Sequence, residues 1–521
     1  MTEKPCLVAL RTTDPRHDKT RIEGGKGGLL DDVCRWVLSN DEFRRWRHDK
    51  QNRLLWIKGD PGKGKTMLLC GLINELKNEG VLAYFFCQAA DPRINSATAV
   101  VRGLIYLLVD SRPSLLSHLQ QRYDRAGRQL FEDVNAWVAV REIFLDILNT
   151  LDDPALPSPY LVVDALDECQ TGLSGLLDLI ASGSAAYRAK WIVSSRNWPE
   201  IEERLAQADQ KVPLSLELNA NSVSAAVQLY VQEKARTLAE RKQYDLETTT
   251  QVEGYLAFNA SNTFLWVALV CQTLDEVPAF KALKTLHTFP PGLDALYGRM
   301  MQSICGMEDL DDVALCIQIL SVASTVYRPL TLEELASFVN HPSPDIQLDN
   351  ISLKHYIGLC RSFLAIGERT VSFVHQSAKD FLCNPSLNTA FYKVFPHTIT
   401  GIHQNLFSKS LQLLSRTLQH NIYGLSHPGT AIEDVTPPSP DPIRPVLYSC
   451  LYWVDHLIAA QAGSTHIRIK DLQDGGDVHA FLSETYLHWL EALSLARAML
   501  KGVLAIEKLN ILLQVRSISF M

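Results

Sequence analysis

The chain is 521 residues long, too long for a single hydrophobic core, so two to four domains are expected. Its 46% hydrophobic and 21% charged residues are those of an ordinary globular protein, and a net charge of −8 argues against nucleic acid as its main partner. Eleven cysteines with no C-x-x-C pair and no histidine at metal spacing, behind an N-terminus without an apolar stretch, argue against secretion. Reduced thiols in a cytoplasmic setting are the expectation.

Residues 1–27 are polar and charged and run into Gly24-Gly25-Lys26-Gly27-Gly28, which reads equally as a loop approaching a nucleotide and as a flexible linker. From Leu29 to Trp46, apolar residues at helical spacing (Leu29, Val33, Trp36, Val37, Phe43) predict a helix leading into the first strand. Strands are predicted at Leu54–Lys58, Val81–Cys87, Tyr160–Val163, Trp191–Ser194 and Leu214–Leu218. Helical patterns lie between them: Lys65–Leu76, Ala97–Val109, Ala136–Leu148 and a stretch after Thr171. Such alternation predicts an α/β domain over 28–219, a parallel sheet with helices on both faces. Beyond 219 the pattern is helical, opening at Asn221-Ser222. Residues 310–385 mix helices with a short strand-like run, Arg369–Val374. A Pro-rich stretch at 425–445 reads as an exposed loop, and helical periodicity returns from Tyr448 to Leu513. The most apolar run, Thr263–Val270, is too short to span a bilayer, so no transmembrane segment is expected. No repeat of 20–50 residues is present.

The residues Gly59-Asp60-Pro61-Gly62-Lys63-Gly64-Lys65-Thr66 fit the G-x-x-x-x-G-K-T pattern between a buried strand and a helix. Glycines let successive backbone N–H groups turn toward phosphates, and the helix that follows adds its positive N-terminal end. Lys65 is expected at the β- and γ-phosphates and the Thr66 hydroxyl on magnesium. A second acidic cluster ends the strand Leu161-Val162-Val163, as Asp164-Ala165-Leu166-Asp167-Glu168. Asp164 is the expected magnesium carboxylate and Glu168 the group that orients or deprotonates the attacking water; Asp167 fits either task. The bland alternative makes Asp167 and Glu168 first-turn acids of a helix. Ser195 and Arg196, at the tip of the next strand, are placed to sense a γ-phosphate, or to cap a strand at the surface. Phe264, Leu265, Trp266 and Val267 read as packing. His375, in Ser372-Phe373-Val374-His375-Gln376-Ser377, reads by composition alone as structural.

Taken together, Ile57–Thr66, Asp164–Cys169, Ser194–Asn197, Thr263–Val267 and Phe373–Ser377 resemble the NACHT-domain signalling NTPases of the STAND class. The similarity is greatest to fungal NLR-like members related to heterokaryon-incompatibility proteins. It covers about 20 to 385 and continues weakly through Trp453–Leu457 and Tyr486–Leu493. The resemblance implies a P-loop NTPase domain (28–219), a helical domain (220–305), a winged-helix-like domain (306–390) and a helical C-terminal region (391–521). It implies magnesium with ATP/ADP or GTP/GDP as ligands, the acidic pair at Asp167 and Glu168, a sensor arginine at Arg196, and a winged-helix histidine, His375, on the bound diphosphate. It further implies slow hydrolysis coupled to opening and homo-oligomerisation. Family members usually carry an effector domain before this region and repeats after it. Neither is evident here, so protein partners supplying sensor and effector functions are expected. A turnover ATPase or kinase, and a truncated scaffold binding partners through 448–513, are the competing readings.

Overall fold

Leu54, Leu55, Trp56 and Ile57 are fully buried, and a run with no polar face has to lie where both faces of a sheet are covered. This run is β1 (Leu54–Lys58) of the computed structural model, which describes residues 4–519 except 27, 29, 207, 209–210, 343–347, 361–362, 368–369, 385–392, 396–397, 428 and 462–471. With β2 (Leu82–Phe86), β3 (Tyr160–Asp164), β4 (Lys190–Ser195) and β5 (Lys211–Ser215) it builds a five-stranded sheet in the order β2-β3-β4-β1-β5. Every pairing is parallel. All C-terminal strand ends therefore open on one edge, and β4 stands between β1 and β3 on that edge.

Three sequence expectations change here. The N-terminal residues are not a plain segment: α1 (Pro5–Leu10) and α2 (Pro15–Gly25) pack on the domain, with Cys6 and Leu10 inside its core. Both helices place proline in the first turn, and the Asp14 side chain caps α2 by accepting from Arg16 N–H. The single helix expected over Leu29–Trp46 is three short ones, Asp31–Cys34, Trp36–Ser39 and Asp41–His48, the last capped by the Asn40 side chain. Of Gly24–Gly28, Gly27 lies outside the described residues, as does Leu29. The fifth strand sits three residues earlier than expected. Val212 and Leu214 turn inward and Pro213 outward, on an edge strand where a missing N–H is tolerated, while Leu218 is left 88% exposed.

The chain forms two compact units, Met1–Leu296 and Tyr297–Met521, a coarser division than the five segments read from sequence. In the first, the sheet is followed by the helices Ala220–Lys242, Leu246–Asn259 and Phe264–Glu276; Trp266, Val267 and Val270 of the last are fully buried.

The second unit holds a small antiparallel sheet of β6 (Leu330–Thr331), β7 (Leu364–Ile366) and β8 (Thr370–Phe373), ordered β6-β8-β7. β8 falls within the expected strand-like run, whose first residue, Arg369, lies outside the described residues. The helices Leu310–Thr325, Leu332–Phe338, Asn350–Leu359 and Gln376–Cys383 surround this sheet in sequence. Glu334 caps its helix and is 1% exposed; it pairs with Arg328 at 2.6 Å and accepts from the Tyr448 N–H at 3.1 Å. A helical bundle follows, its core built by Phe407, Trp453, Phe481 and Trp489. The described part of 425–445 is mostly exposed and contains no long helix or strand. Among the described residues, no helix is long and apolar enough to cross a membrane.

Candidate nucleotide site

β1 delivers the chain to Gly59, whose N–H donates to the Ser195 carbonyl at 3.3 Å, and the helix Lys65–Leu76 leaves on the other side. The turn between them depends on two glycines in the left-handed region, Gly62 at φ +78° and Gly64 at φ +84°. Space is as restrictive as conformation. A Cβ on Gly62 meets Thr263 Cγ2 at 2.8 Å, and one on Gly64 meets the Phe264 ring at 2.9 Å. The segment Thr263–Leu265, of which Phe264 and Leu265 read from composition as packing, is thus seated on the phosphate loop.

Lys65 Nζ donates to the Gly59 carbonyl at 2.5 Å and to that of Asp60 at 3.0 Å, which holds the ammonium at the mouth of the loop. Burial pushes its pKa down, opposed by Asp167 and Asp164. Lys63 Nζ points elsewhere, to the Ser261 carbonyl at 3.2 Å. The Asp60 N–H donates to Glu217 Oε1 at 2.7 Å, and the Asp60 carboxylate accepts from Asn197 Nδ2 at 3.4 Å. Pro61 fixes the turn between them.

Across the cleft, Asp164 is 2% exposed and accepts from Ser194 Oγ at 2.5 Å and from the Thr66 hydroxyl. Burial raises its pKa, opposed by the Ser194 hydrogen bond, Lys26, Thr66 and Lys65. The chain then turns through Ala165 at φ +55°, a strained conformation for a residue with a Cβ, and the Ala165 N–H donates to the same Ser194 Oγ at 2.9 Å. That turn starts a short 3₁₀ segment, Leu166–Glu168, which presents two carboxylates. Asp167 grips Arg196 twice, through Nε at 2.9 Å and the backbone N–H at 3.0 Å. Glu168 Oε2 accepts from the Ala89 N–H at 3.0 Å, and burial pushes its pKa up to about 7. An acid of that strength is half-ionised at neutral pH, where general bases work best.

The fold therefore gathers Gly59–Thr66, Asp164, Asp167, Glu168 and Arg196 on one sheet edge. Ser195 is not a sensor: its hydroxyl accepts from Trp56 Nε1 at 2.9 Å and donates to the Arg196 carbonyl, wholly buried. His375 belongs to the second unit, where Nδ1 caps the helix Gln376–Cys383 by accepting from the Ser377 N–H at 3.1 Å. Accepting at Nδ1 leaves the ring proton on Nε2. Sequence reasoning missed Ser194, Glu217 and the Ala89 N–H. Only Ser194 carried a signal, as the penultimate residue of the strand beside Asp164.

The residues present suit a magnesium nucleotide: left-handed glycines, a cation in the loop, and a hydroxyl beside a buried carboxylate are a phosphate cradle with hard oxygen donors. Fold and loop together define a P-loop NTPase fold. The chain is 51% identical over 522 residues to the vegetative incompatibility protein HET-E-1 of Podospora anserina, so the resemblance to heterokaryon-incompatibility proteins holds over 98% of this chain. It spans 38% of that relative's length. Residues 32–196 match the family model described as Nephrocystin 3, N-terminal. Among solved structures, a Walker-type ATPase of Pyrococcus abyssi aligns at 12% identity and TM-score 0.32, covering 66% of this chain and 95% of that one. Drosophila ORC bound to DNA aligns at 12% identity and TM-score 0.34, covering 69% and 99%. Likenesses that distant carry no functional weight.

Proposed function

We propose that the chain is a nucleotide-operated signalling switch of the NACHT type, binding magnesium with ATP/ADP or GTP/GDP and acting in incompatibility-type non-self recognition. The observation that carries this reading is the Lys65 ammonium held inside a loop of two left-handed glycines and faced by a buried Asp164. Magnesium and the triphosphate, when bound, supply the electrophilic phosphorus and neutralise its charge. Backbone N–H groups of 62–66 would bind the phosphates, and Lys65 would exchange the Gly59 and Asp60 carbonyls for phosphate oxygens. Thr66 and Asp164 hold the metal, with Ser194 orienting the Asp164 carboxylate. Glu168, near neutrality, orients a water and accepts its proton. Asp167 aims Arg196 at the γ-phosphate position. A role for His375 on the diphosphate rests on the family resemblance alone.

A switch of this kind needs roughly 5.5 kcal/mol of differential binding to pass from 1:99 to 99:1. The charge-assisted contacts of Lys65 and Arg196, made or lost with one phosphate, are of the right order. Light scattering after size exclusion tests the proposal: one mass with the diphosphate and a larger one with a non-hydrolysable triphosphate. A single mass under both, with nucleotide demonstrably bound, rejects the switch and leaves the scaffold and turnover-ATPase readings.

A further inference from the structure

Helix α2 touches two elements that carry residues of the nucleotide site. Its buried Lys19 donates to Asn74 Oδ1 at 3.0 Å, and Asn74 belongs to the helix that begins with Lys65 and Thr66. Lys19 also pairs with Glu23 at 2.5 Å, one turn along α2. Two residues on, Arg21 donates to Gln88 Oε1 at 2.8 Å. Gln88 precedes Ala89, whose N–H holds the Glu168 carboxylate. The loop carrying both is stiff. Asn95 Nδ2 donates to the Ala89 carbonyl at 3.2 Å and to Gln170 Oε1 at 3.1 Å, and the Gln170 N–H returns to the Asn95 carbonyl at 2.7 Å.

α1 and the first turn of α2 are anchored instead on the helix Ala97–Ser111. Arg102 donates to the carbonyls of Leu10 and Ala9 at 2.7 Å each, and Arg16 bridges Asp14, Asp110 and Tyr106. A Cβ on Gly103 meets the Phe85 ring at 2.3 Å and Pro15 Cγ at 3.3 Å, so the first turn of α2 is wedged in place. From Lys19 onward, α2 rests instead on the helix Lys65–Leu76 and on the loop that carries Gln88 and Ala89.

We propose that α2 is a built-in reporter of the nucleotide state, read through Arg21, Gln88 and the Ala89 N–H that Glu168 occupies. This rests on the functional reading above, in which Glu168 serves a water at the γ-phosphate. When its carboxylate turns to that water, the buried Ala89 N–H loses its acceptor, a costly state that the loop relieves by moving. Because the loop is braced by Asn95, it moves as a piece and carries Gln88 with it, and Arg21 loosens. With a diphosphate, Glu168 stays on Ala89 and α2 stays docked.

Hydrogen exchange on the full chain, with magnesium and either ADP or a non-hydrolysable ATP analogue, tests this, with calorimetry on the same samples to measure uptake. Amides of residues 19–25 are expected to exchange roughly threefold or more faster with the triphosphate, and those of α1 equally in both. Arg21→Ala and Gln88→Ala each remove the same contact from opposite sides. Both are expected to abolish the difference and leave nucleotide affinity within about threefold of the wild type. Equal exchange of α2 in both states, with nucleotide bound, overturns the inference and leaves the functional reading standing. So does a difference that persists in both variants. Absence of uptake fails the functional reading, and the inference falls with it.

Discussion

Replacing Glu168 with glutamine keeps the shape and an acceptor for the Ala89 N–H, and removes only the charge. Burial holds this carboxyl at a pKa of about 7, against an ordinary 4.5, so its ionised form is disfavoured in the fold. The sign follows: the stability associated with the protonated group is present below pH 4.5 and lost as pH rises through 7. At 1.36 kcal/mol per unit the penalty at pH 8 is at most roughly 3 kcal/mol, and about 2 after allowing for partial exposure. Glu168→Gln is therefore expected to stabilise the first unit by about 2 kcal/mol at pH 8, raising its melting point by roughly 3 °C. At pH 5 the gain shrinks below about 1 kcal/mol, because the wild-type side chain is already protonated in the fold. Thermal unfolding at the two pH values, with a chelator and without nucleotide, measures the difference directly. An equal shift at both pH values, or destabilisation at pH 8, refutes the reasoning. The same variant is expected to slow any hydrolysis by about 10²-fold or more.

Gly64→Ala is expected to cut nucleotide affinity at least about tenfold, since its Cβ enters the Phe264 ring at 2.9 Å and its φ is +84°. Adding Phe264→Ala recovers the space and not the conformation, so calorimetry is expected to show partial rescue. Glu334→Ala leaves Arg328, 14% exposed, without its carboxylate and is expected to cost the second unit about 3–5 kcal/mol in urea unfolding, with a smaller loss for Glu334→Gln. His375→Ala is expected to raise the oligomer fraction with triphosphate present, as read by light scattering; an unchanged elution profile removes that histidine from the switch.

What could be read from the chain was contiguous. The strands β1, β3 and β4 are short apolar runs buried almost throughout, and in Gly59–Thr66 the glycines, Lys65 and Thr66 are set in type by the phosphate chemistry they would perform. Contacts made across long separations left no local trace. Ser194 on Asp164, Glu217 on Asp60 and Ala89 on Glu168 are separated by 30, 157 and 79 residues. Phe264 read as core because an aromatic against a glycine looks like any other packed side chain. The N-terminal helices were missed although Asp14-Pro15 is a helix-start signal. α2 docks through charged groups, with Asp18 and Lys19 buried, so it lacks the apolar periodicity that marks a helix. The expected helix over 29–46 kept its periodicity but not its continuity, because the Asn40 side chain caps a new helix where the old one was read to continue.

Titration calorimetry of the folded chain with ADP, ATP, GDP and GTP in the presence of magnesium puts the phosphate cradle to the most direct test. One saturable site is expected for the adenine or the guanine pair, lost in Lys65→Ala while the variant keeps its circular dichroism. Folded wild-type protein that takes up none of the four, or a Lys65→Ala variant that binds as tightly as the wild type, contradicts it.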